Sequence, residues 1–138
     1  MGADYTELAA LTESFFQAVS FEKGHIPAYG RIRSLFIQGG KLINNSSEVP
    51  EIWTVEGFIA SRRKLVDSGA LVCFEEVETR ATVEVFGRVA HRLSAYEKRG
   101  TREGRSIAGG GLISTQFILT LGGWKMSSMA WDDSGRCQ

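Results

Sequence analysis

The sequence has few of the residues that form disulfide bonds or zinc sites, with two cysteines and two histidines among 138 residues. Cys73 and Cys137 are too few for a disulfide framework or a zinc site. Sixteen lysines and arginines balance sixteen aspartates and glutamates, so the basic excess that general nucleic-acid and membrane-surface binding requires is missing. No apolar run approaches the roughly 18 residues of a membrane span, and the N-terminus lacks the pattern of a secretion signal. We therefore expect a cytoplasmic protein that binds neither nucleic acid nor membranes.

The chain has an ordinary globular composition, with 43% hydrophobic and 23% charged residues. A chain of 138 residues is the usual size of one domain and buries about two-thirds of its unfolded surface. We expect a single domain over residues 1–138, with a frayed tail from about residue 132.

Three segments of the first half have the periodicity of helices. The first begins near Asp4, which together with Glu7 resembles an N-terminal cap. The second is short and ends at Gly39 and Gly40. The third is the clearest, and Thr54 is its predicted N-cap.

From residue 70 the hydrophobic period changes to two, which is typical of strands. This pattern predicts four strands, over 71–79, 82–97, 112–121 and 124–131. Gly122 and Gly123 predict a hairpin turn between the last two, because both positions accept a positive φ. The charged stretch 98–111 is predicted to be a connection. Helices followed by antiparallel strands indicate the α+β class.

Three segments resemble a known family. Ile32–Phe36 looks like its exit from the second helix, Phe86–Glu97 resembles one of its strands, and Gly123–Trp131 is similar to its closing strand. The family is the nuclear transport factor 2-like, or SnoaL-like, superfamily, and the resemblance covers about residues 8–131. It implies a cone in which three N-terminal helices pack on a strongly curved antiparallel sheet around a central pocket. Members include isomerases, dehydratases, cyclases and transport adaptors, so the fold alone does not indicate an activity.

His91 is the candidate proton-handling residue. The predicted strand 82–97 places it on the same face as Val83, Val85 and Val89. An imidazole among aliphatic side chains can shuttle protons, and the alternative is a core or interface histidine with one nitrogen hydrogen-bonded. A bulge at Gly87 would turn the His91 side chain outward.

Glu75 is the candidate carboxylate partner of His91. It shares its parity with the apolar residues Cys73 and Val77 and would interrupt an apolar face. A register error of one residue would exchange it with Glu76 and Glu78, and the alternative is that Glu75 is a surface or dimer-interface residue.

The aspartates argue against one chemistry of the family. The ketosteroid isomerase relatives use one aspartate as a general base and a second, neutral aspartic acid beside a tyrosine. The aspartates of this chain all fall outside the predicted strand interiors, at Asp4, Asp67, Asp132 and Asp133. That mechanism is therefore not carried over, and the sequence indicates no metal site or cofactor.

Aromatic side chains are the candidates for a ligand pocket, because they suit a flat organic ligand. The predicted pocket residues are Phe16, Tyr29, Trp53, Phe58, Phe117 and Trp124. The alternative is that these rings pack in the core or at a dimer interface.

Two classes of function remain open at this stage. One is a small-molecule-binding protein with an apolar cone pocket for a small hydrophobic ligand, with or without proton-transfer catalysis of the isomerase, cyclase or dehydratase type. The other is a non-catalytic homodimeric interaction module with a filled cone. A homodimer is expected in both, because the convex sheet face is predicted to be uncovered. That face is predicted to carry Phe86, Ala90, Ser94 and Tyr96, with Arg88 and Arg92.

Overall fold

The computed structural model describes residues 2–133. The predicted tail begins at about residue 132, but Asp132 belongs to the last strand. The residues from 134 onward, with Cys137, lie outside the described residues. The elements in chain order are α1 (Gly2–Val19), a 3₁₀ helix (Tyr29–Leu35), β1 (Phe36–Asn44), β2 (Glu51–Thr54), α2 (Val55–Asp67), β3 (Leu71–Phe86), β4 (Val89–Arg102), β5 (Arg105–Thr120) and β6 (Gly123–Asp132).

All six strands form one sheet in the order β2-β1-β6-β5-β4-β3. β1 runs parallel to β6, and the other neighbouring pairs are antiparallel. Register shifts interrupt β1, β3 and the β5–β6 pair, and such bulges bend a sheet and increase its twist. The α+β class is confirmed, with the helices on one face of the sheet.

The predicted helices are confirmed in part. α2 begins as expected, since the Thr54 hydroxyl accepts a hydrogen bond of 3.0 Å from the Gly57 N–H. The second helix is a 3₁₀ helix, and the third follows β1 and β2 instead of preceding the sheet. Gly39 and Gly40 do not end a helix. They lie inside β1, where Gly39 takes a φ of +84° and a Cβ on Gly40 would come within 2.8 Å of the Phe36 ring.

Asp4 and Glu7 do not cap α1, because the helix begins before them at Gly2. They attach the helix to the start of β6. Asp4 Oδ1 accepts a hydrogen bond of 3.0 Å from the Trp124 indole, and Glu7 Oε2 accepts one of 2.9 Å from the Trp124 backbone N–H. The indole hydrogen bond lowers the pKa of the Asp4 carboxyl.

The predicted strand 82–97 is wrong, because the chain reverses at Gly87 and Arg88 between β3 and β4. Gly87 has a φ of +60°, and Val85 pairs with Ala90 across the turn. Cross-strand partners face the same side of a sheet. The inward-facing residues therefore change from odd numbers in this part of β3 to even numbers in β4.

The other two hairpin turns also differ from the predictions. The stretch 98–111 is not a connection, because β4 and β5 continue to a tight turn at Glu103 and Gly104, with φ of 52° and 78°. Thr120 pairs with Gly123, so the last turn lies one residue earlier than predicted.

The predicted composition of the convex face is wrong, because the reversal at Gly87 exchanges the inward-facing and outward-facing residues of β4. Ala90, Ser94 and Tyr96 are buried, and Arg92 forms an ion pair with Glu78. Phe86 and Arg88 are exposed, as predicted. The large exposed apolar side chains on β3 and β4 are Val77, Phe86, Val89 and Leu93.

The main core lies between the helices and the inner face of the sheet, where Leu8, Tyr29, Phe117 and Met126 are fully buried. Within residues 2–133, no helix is both long enough and apolar enough to cross a membrane.

Close strand approach makes Gly100 a sensitive position. A Cβ there would lie 2.4 Å from the Cys73 carbonyl oxygen, so alanine forces β3 and β4 apart. We expect Gly100→Ala to lower the free energy of unfolding by about 1–3 kcal/mol, measured by urea denaturation. Gly109→Ala is the control, since its Cβ meets only the Lys98 side chain at 3.9 Å. Equal effects of the two substitutions would contradict this packing.

Candidate functional site

A cavity of about 140 Å³ lies between α1, α2 and the inner face of the sheet. One part of its wall is aromatic. Trp53 of β2 stacks on Trp131 of β6 with ring centroids 6.3 Å apart, and Phe58 of α2 packs edge-on against both rings. Phe15 and Phe74 extend this wall. The cavity therefore offers flat apolar surfaces to a ligand.

The rest of the lining carries charge, which the sequence did not predict. The charged residues at the cavity are Arg62, Glu76, Lys98, Arg102 and Asp133. The pocket is therefore not the purely apolar one expected from the resemblance.

Glu76 points into the cavity from β3. Its backbone N–H donates a hydrogen bond of 3.0 Å to the Ser20 hydroxyl, which attaches this part of β3 to the end of α1. Within the described part of the chain, no group hydrogen-bonds its carboxylate or forms an ion pair with it. Burial raises the pKa of Glu76 to about 7, against the opposing charges of Lys98 and Arg62. Glu76 is thus a carboxyl group that both holds and releases a proton near neutral pH.

Arg62 enters the cavity from α2. Its guanidinium carbon lies 5.9 Å from the centre of the Phe58 ring and 5.5 Å from that of Phe74, so two rings hold it by cation–π contact. Its Nε is buried without a hydrogen-bond partner, and no carboxylate among residues 2–133 forms an ion pair with it. The adjoining Tyr29 hydroxyl is also buried. Burial raises the pKa of that phenol, while the charge of Arg62 opposes the shift.

Lys98 and Asp133 form a closed pair beside Glu76. Lys98 Nζ donates a hydrogen bond to Asp133 Oδ2, and the Asp133 N–H donates one of 2.9 Å to the Ser46 hydroxyl. Burial opposes the ionisation of Asp133, but hydrogen bonds to its carboxylate from the Lys98 ammonium and the Ser46 hydroxyl hold the pKa of that carboxyl below the usual value. Asp133 therefore stays ionised while Glu76 titrates near neutrality. Asp133 lines the cavity, although the sequence predicts that it belongs to the frayed tail.

His91 lies on the outer face of the sheet, with its side chain 56% exposed and its Nε2 3.1 Å from Glu84. The predicted inward orientation is wrong because the reversal at Gly87 exchanges the parity of β4. His91 does not line the cavity.

Glu75 also faces outward, where its Oε1 accepts a hydrogen bond of 2.8 Å from Arg99 Nε. The apolar residues that share its parity, such as Val77, belong to the exposed face. The structure brings Glu75 neither to His91 nor to the cavity, which Glu76 lines in its place.

The predicted pocket aromatics divide into two groups. Trp53 and Phe58 line the cavity. The others are buried in the core without lining it, namely Phe16, Tyr29, Phe117 and Trp124. Among residues 2–133, no group of three His, Cys, Asp or Glu side chains is placed to hold a metal ion.

The sequence contains one signal for the missed residues. Arg62 falls in the same helical stripe as the buried residues Phe58 and Ile59, and an arginine in such a stripe indicates a polar site. Glu76 gives no comparable signal, because only the register of β3 separates it from Glu75.

No protein-family model matches this chain, and no curated protein matches it. Solved structures do match it over nearly its whole length. A nuclear transport factor 2-like superfamily protein from Salmonella enterica serovar Typhimurium superposes with a TM-score of 0.80 at 10% identity, over 99% of this chain and 95% of that one. The chain has the nuclear transport factor 2-like fold.

Two further structures agree with this fold. The Kfla4162 protein from Kribbella flavida has a TM-score of 0.79 at 15% identity, covering 96% of this chain and 92% of its own. LinA has a TM-score of 0.78 at 14% identity, covering 94% of this chain and 84% of its own. The fold resemblance drawn from the sequence is therefore confirmed. At these identities the likeness concerns the fold alone.

Proposed function

We propose that the cone cavity binds a small organic molecule about the size of one ring, and that Glu76 exchanges a proton with it. The observation that carries this proposal is the position of the Glu76 carboxylate, which lies inside an aromatic-walled cavity without a hydrogen bond or ion pair from residues 2–133. A buried carboxylate without a partner is costly, so such a group is retained more readily where it has a function.

The cavity volume limits the size of the ligand. Sites for drug-sized ligands usually span roughly 300–1,000 Å³, whereas an apolar cavity of about 150 Å³ accepts benzene. A volume of about 140 Å³ therefore suits a single ring with one or two substituents. The stacked Trp53 and Trp131 and the edge of Phe58 supply the apolar contacts for that ring.

Proton transfer beside a carbonyl is the reaction that fits these groups. The Glu76 carboxylate accepts a proton from a ligand carbon, the electrons of the C–H bond move toward the carbonyl oxygen, and the proton returns to the same or a neighbouring carbon. The charge of Arg62 favours the negative charge that develops on the ligand. A base whose pKa lies near the working pH is well matched to this step.

A second function is favoured by a separate observation. Val89 and Leu93 of β4 and Val77 of β3 are spaced along the outer face of the sheet with their side chains exposed, and Phe86, 85% exposed, pairs with Val89 at the tip. An exposed apolar group of this kind suits a second copy of the chain. Homodimer formation, with or without a role as an interaction module, stays a prediction, and it does not exclude binding in the cone.

Hydrogen–deuterium exchange into a ring ketone tests the proton transfer. With cyclohexanone in D₂O, we expect the protein to accelerate exchange at the carbons beside the carbonyl, followed by ¹H NMR. Glu76→Gln is expected to lower this acceleration by about 10²–10⁴-fold, because glutamine cannot accept the proton.

Glu75→Gln is the matched control, since Glu75 is the adjacent residue on the opposite face and pairs with Arg99. It is expected to leave the exchange rate unchanged. Equal rates for the two variants, or a bound ketone that shows no accelerated exchange, would refute the role of Glu76.

A further inference from the structure

The cavity contains a positive charge that no residue between 2 and 133 neutralises by contact. Arg62 is held between two aromatic rings, its Nε has no hydrogen-bond partner, and it forms no ion pair within residues 2–133. Removing a guanidinium from water without a paired anion is unfavourable. A ligand anion would remove this penalty.

The charges of the other lining residues also favour a ligand anion. Lys98 and Asp133 neutralise each other through their hydrogen bond. Of the remaining charged residues, Arg62 and Arg102 are cations and Glu76 is the only acid that lines the cavity from within the described chain. Arg102 is exposed to solvent, which screens its charge, whereas Arg62 is half-buried. While Glu76 is protonated, Arg62 is therefore the unbalanced charge of the enclosed part of the lining, and a single ligand anion would balance it.

We infer that the ligand is a small carboxylate, a ring-sized apolar body with one carboxylate group that Arg62 binds. This inference rests on the proposed function and specifies the class of its ligand. The planar guanidinium matches the two oxygens of a carboxylate, and its orientation is fixed in advance by Phe58 and Phe74. The body of the ligand then lies against Trp53 and Trp131, which line the same cavity.

The placement of the anion also suits the chemistry of Glu76. When a proton leaves a carbon conjugated with a carboxylate, the negative charge that develops spreads onto the carboxylate oxygens beside Arg62. The guanidinium therefore binds the ligand and stabilises the charge that forms in the reaction.

Calorimetric titration with three probes tests the inference on the unmodified protein. Benzoate has the ring and the charge, benzamide has nearly the same shape without the charge, and acetate has the charge without the ring. We expect benzoate to bind at least about 30-fold more tightly than benzamide, because a desolvated charge pair is lost with the amide, and also more tightly than acetate. Equal binding of benzoate and benzamide would overturn the inference, and so would equal binding of benzoate and acetate.

Arg62→Met tests the residue itself, because methionine keeps an unbranched side chain between the two rings. Its affinity for benzoate is expected to fall about 30-fold or more, with little change for benzamide. Arg63→Met is the control, since Arg63 is the next residue on α2 and is exposed. Unchanged benzoate affinity in Arg62→Met would overturn the inference. If that variant does not fold, the probe comparison on the unmodified protein decides alone.

The two proposals fail in distinguishable ways. If cyclohexanone exchange depends on Glu76 but benzoate shows no advantage over benzamide, the carboxylate class is wrong and the proton transfer stands. If benzoate binds through Arg62 but no exchange depends on Glu76, the cavity is a carboxylate-binding site without that chemistry. If neither result appears, both proposals are wrong.

Discussion

Replacing Arg92 with methionine is expected to lower the free energy of unfolding by about 3–5 kcal/mol. Arg92 forms a two-pronged hydrogen bond with Glu78 on the inner face of the sheet, at 2.9 Å from Nε to Oε2 and 2.8 Å from the terminal nitrogen to Oε1. Their side chains are only 12% and 21% exposed. Burial opposes the ionisation of Glu78, and Arg92 holds the pKa of that carboxyl below its usual value. Without Arg92, a largely buried carboxylate loses its partner.

Urea denaturation at neutral pH measures this loss, and the same sheet supplies a matched control. Arg99 and Glu75 pair at 2.8 Å on the outer face, with side chains 78% and 52% exposed, and an exposed pair contributes about 1 kcal/mol or less. Arg99→Met is therefore expected to have a small effect. The double variant Arg92→Met with Glu78→Leu is expected to recover much of the loss, since no buried charge remains. Similar losses for Arg92→Met and Arg99→Met would contradict the inward orientation of the Arg92–Glu78 pair.

Glu76 is expected to make the protein less stable as the pH rises from about 4.5 to about 7. Its pKa is raised from 4.5 to about 7 in the folded protein. Below about pH 4.5 the carboxyl is protonated in both the folded and the unfolded protein, and its contribution to the free energy of unfolding is fully present. That contribution is lost as the pH rises through the folded pKa of about 7, above which both states are ionised. A shift of this size corresponds to about 3 kcal/mol.

The difference between the protein and Glu76→Gln isolates this contribution, because the other titrating groups are common to both. The free energies of unfolding, measured by urea denaturation from pH 4 to pH 9, are expected to diverge in favour of Glu76→Gln by about 3 kcal/mol. Glu75→Gln serves as the exposed control and is expected to follow the unmodified protein. Parallel curves for Glu76→Gln would show that the Glu76 carboxyl is not desolvated.

Local signals in the sequence were sufficient for several elements. The start of α2 follows from the Thr54 cap, because capping depends on residues three positions apart in the chain. The α+β order likewise follows from the change of hydrophobic period near residue 70. The sequence does not reveal the hairpin at Gly87, because Val83, Val85 and Val89 keep the period of two on both sides of the turn.

Predicting the candidate site requires two things that the sequence does not give locally: the face of the sheet toward which each strand residue points, and contacts between distant parts of the chain. One unrecognised turn at Gly87 was enough to place His91 on the wrong face of β4, since alternate residues of a strand face opposite sides. Glu75 and Glu76 are neighbours of the same type, and only the packing of β3 against α1 decides which of them is enclosed. Asp133 reaches the cavity through its contacts with Lys98 and Ser46, which lie 35 and 87 residues away in the sequence. No local pattern contains that information.

The most direct test is a ¹³C NMR titration of the Glu76 side-chain carboxyl in the protein without ligand. Its resonance is assigned by its disappearance in Glu76→Gln, and Glu75 provides an internal comparison on the outer face. A titration midpoint near 7 is the expected result, because the cavity desolvates the carboxylate more strongly than Lys98 and Arg62 stabilise it. A midpoint at the ordinary value of 4.5 would contradict the account, because Glu76 would then be a solvated carboxylate with no advantage as a base at neutral pH.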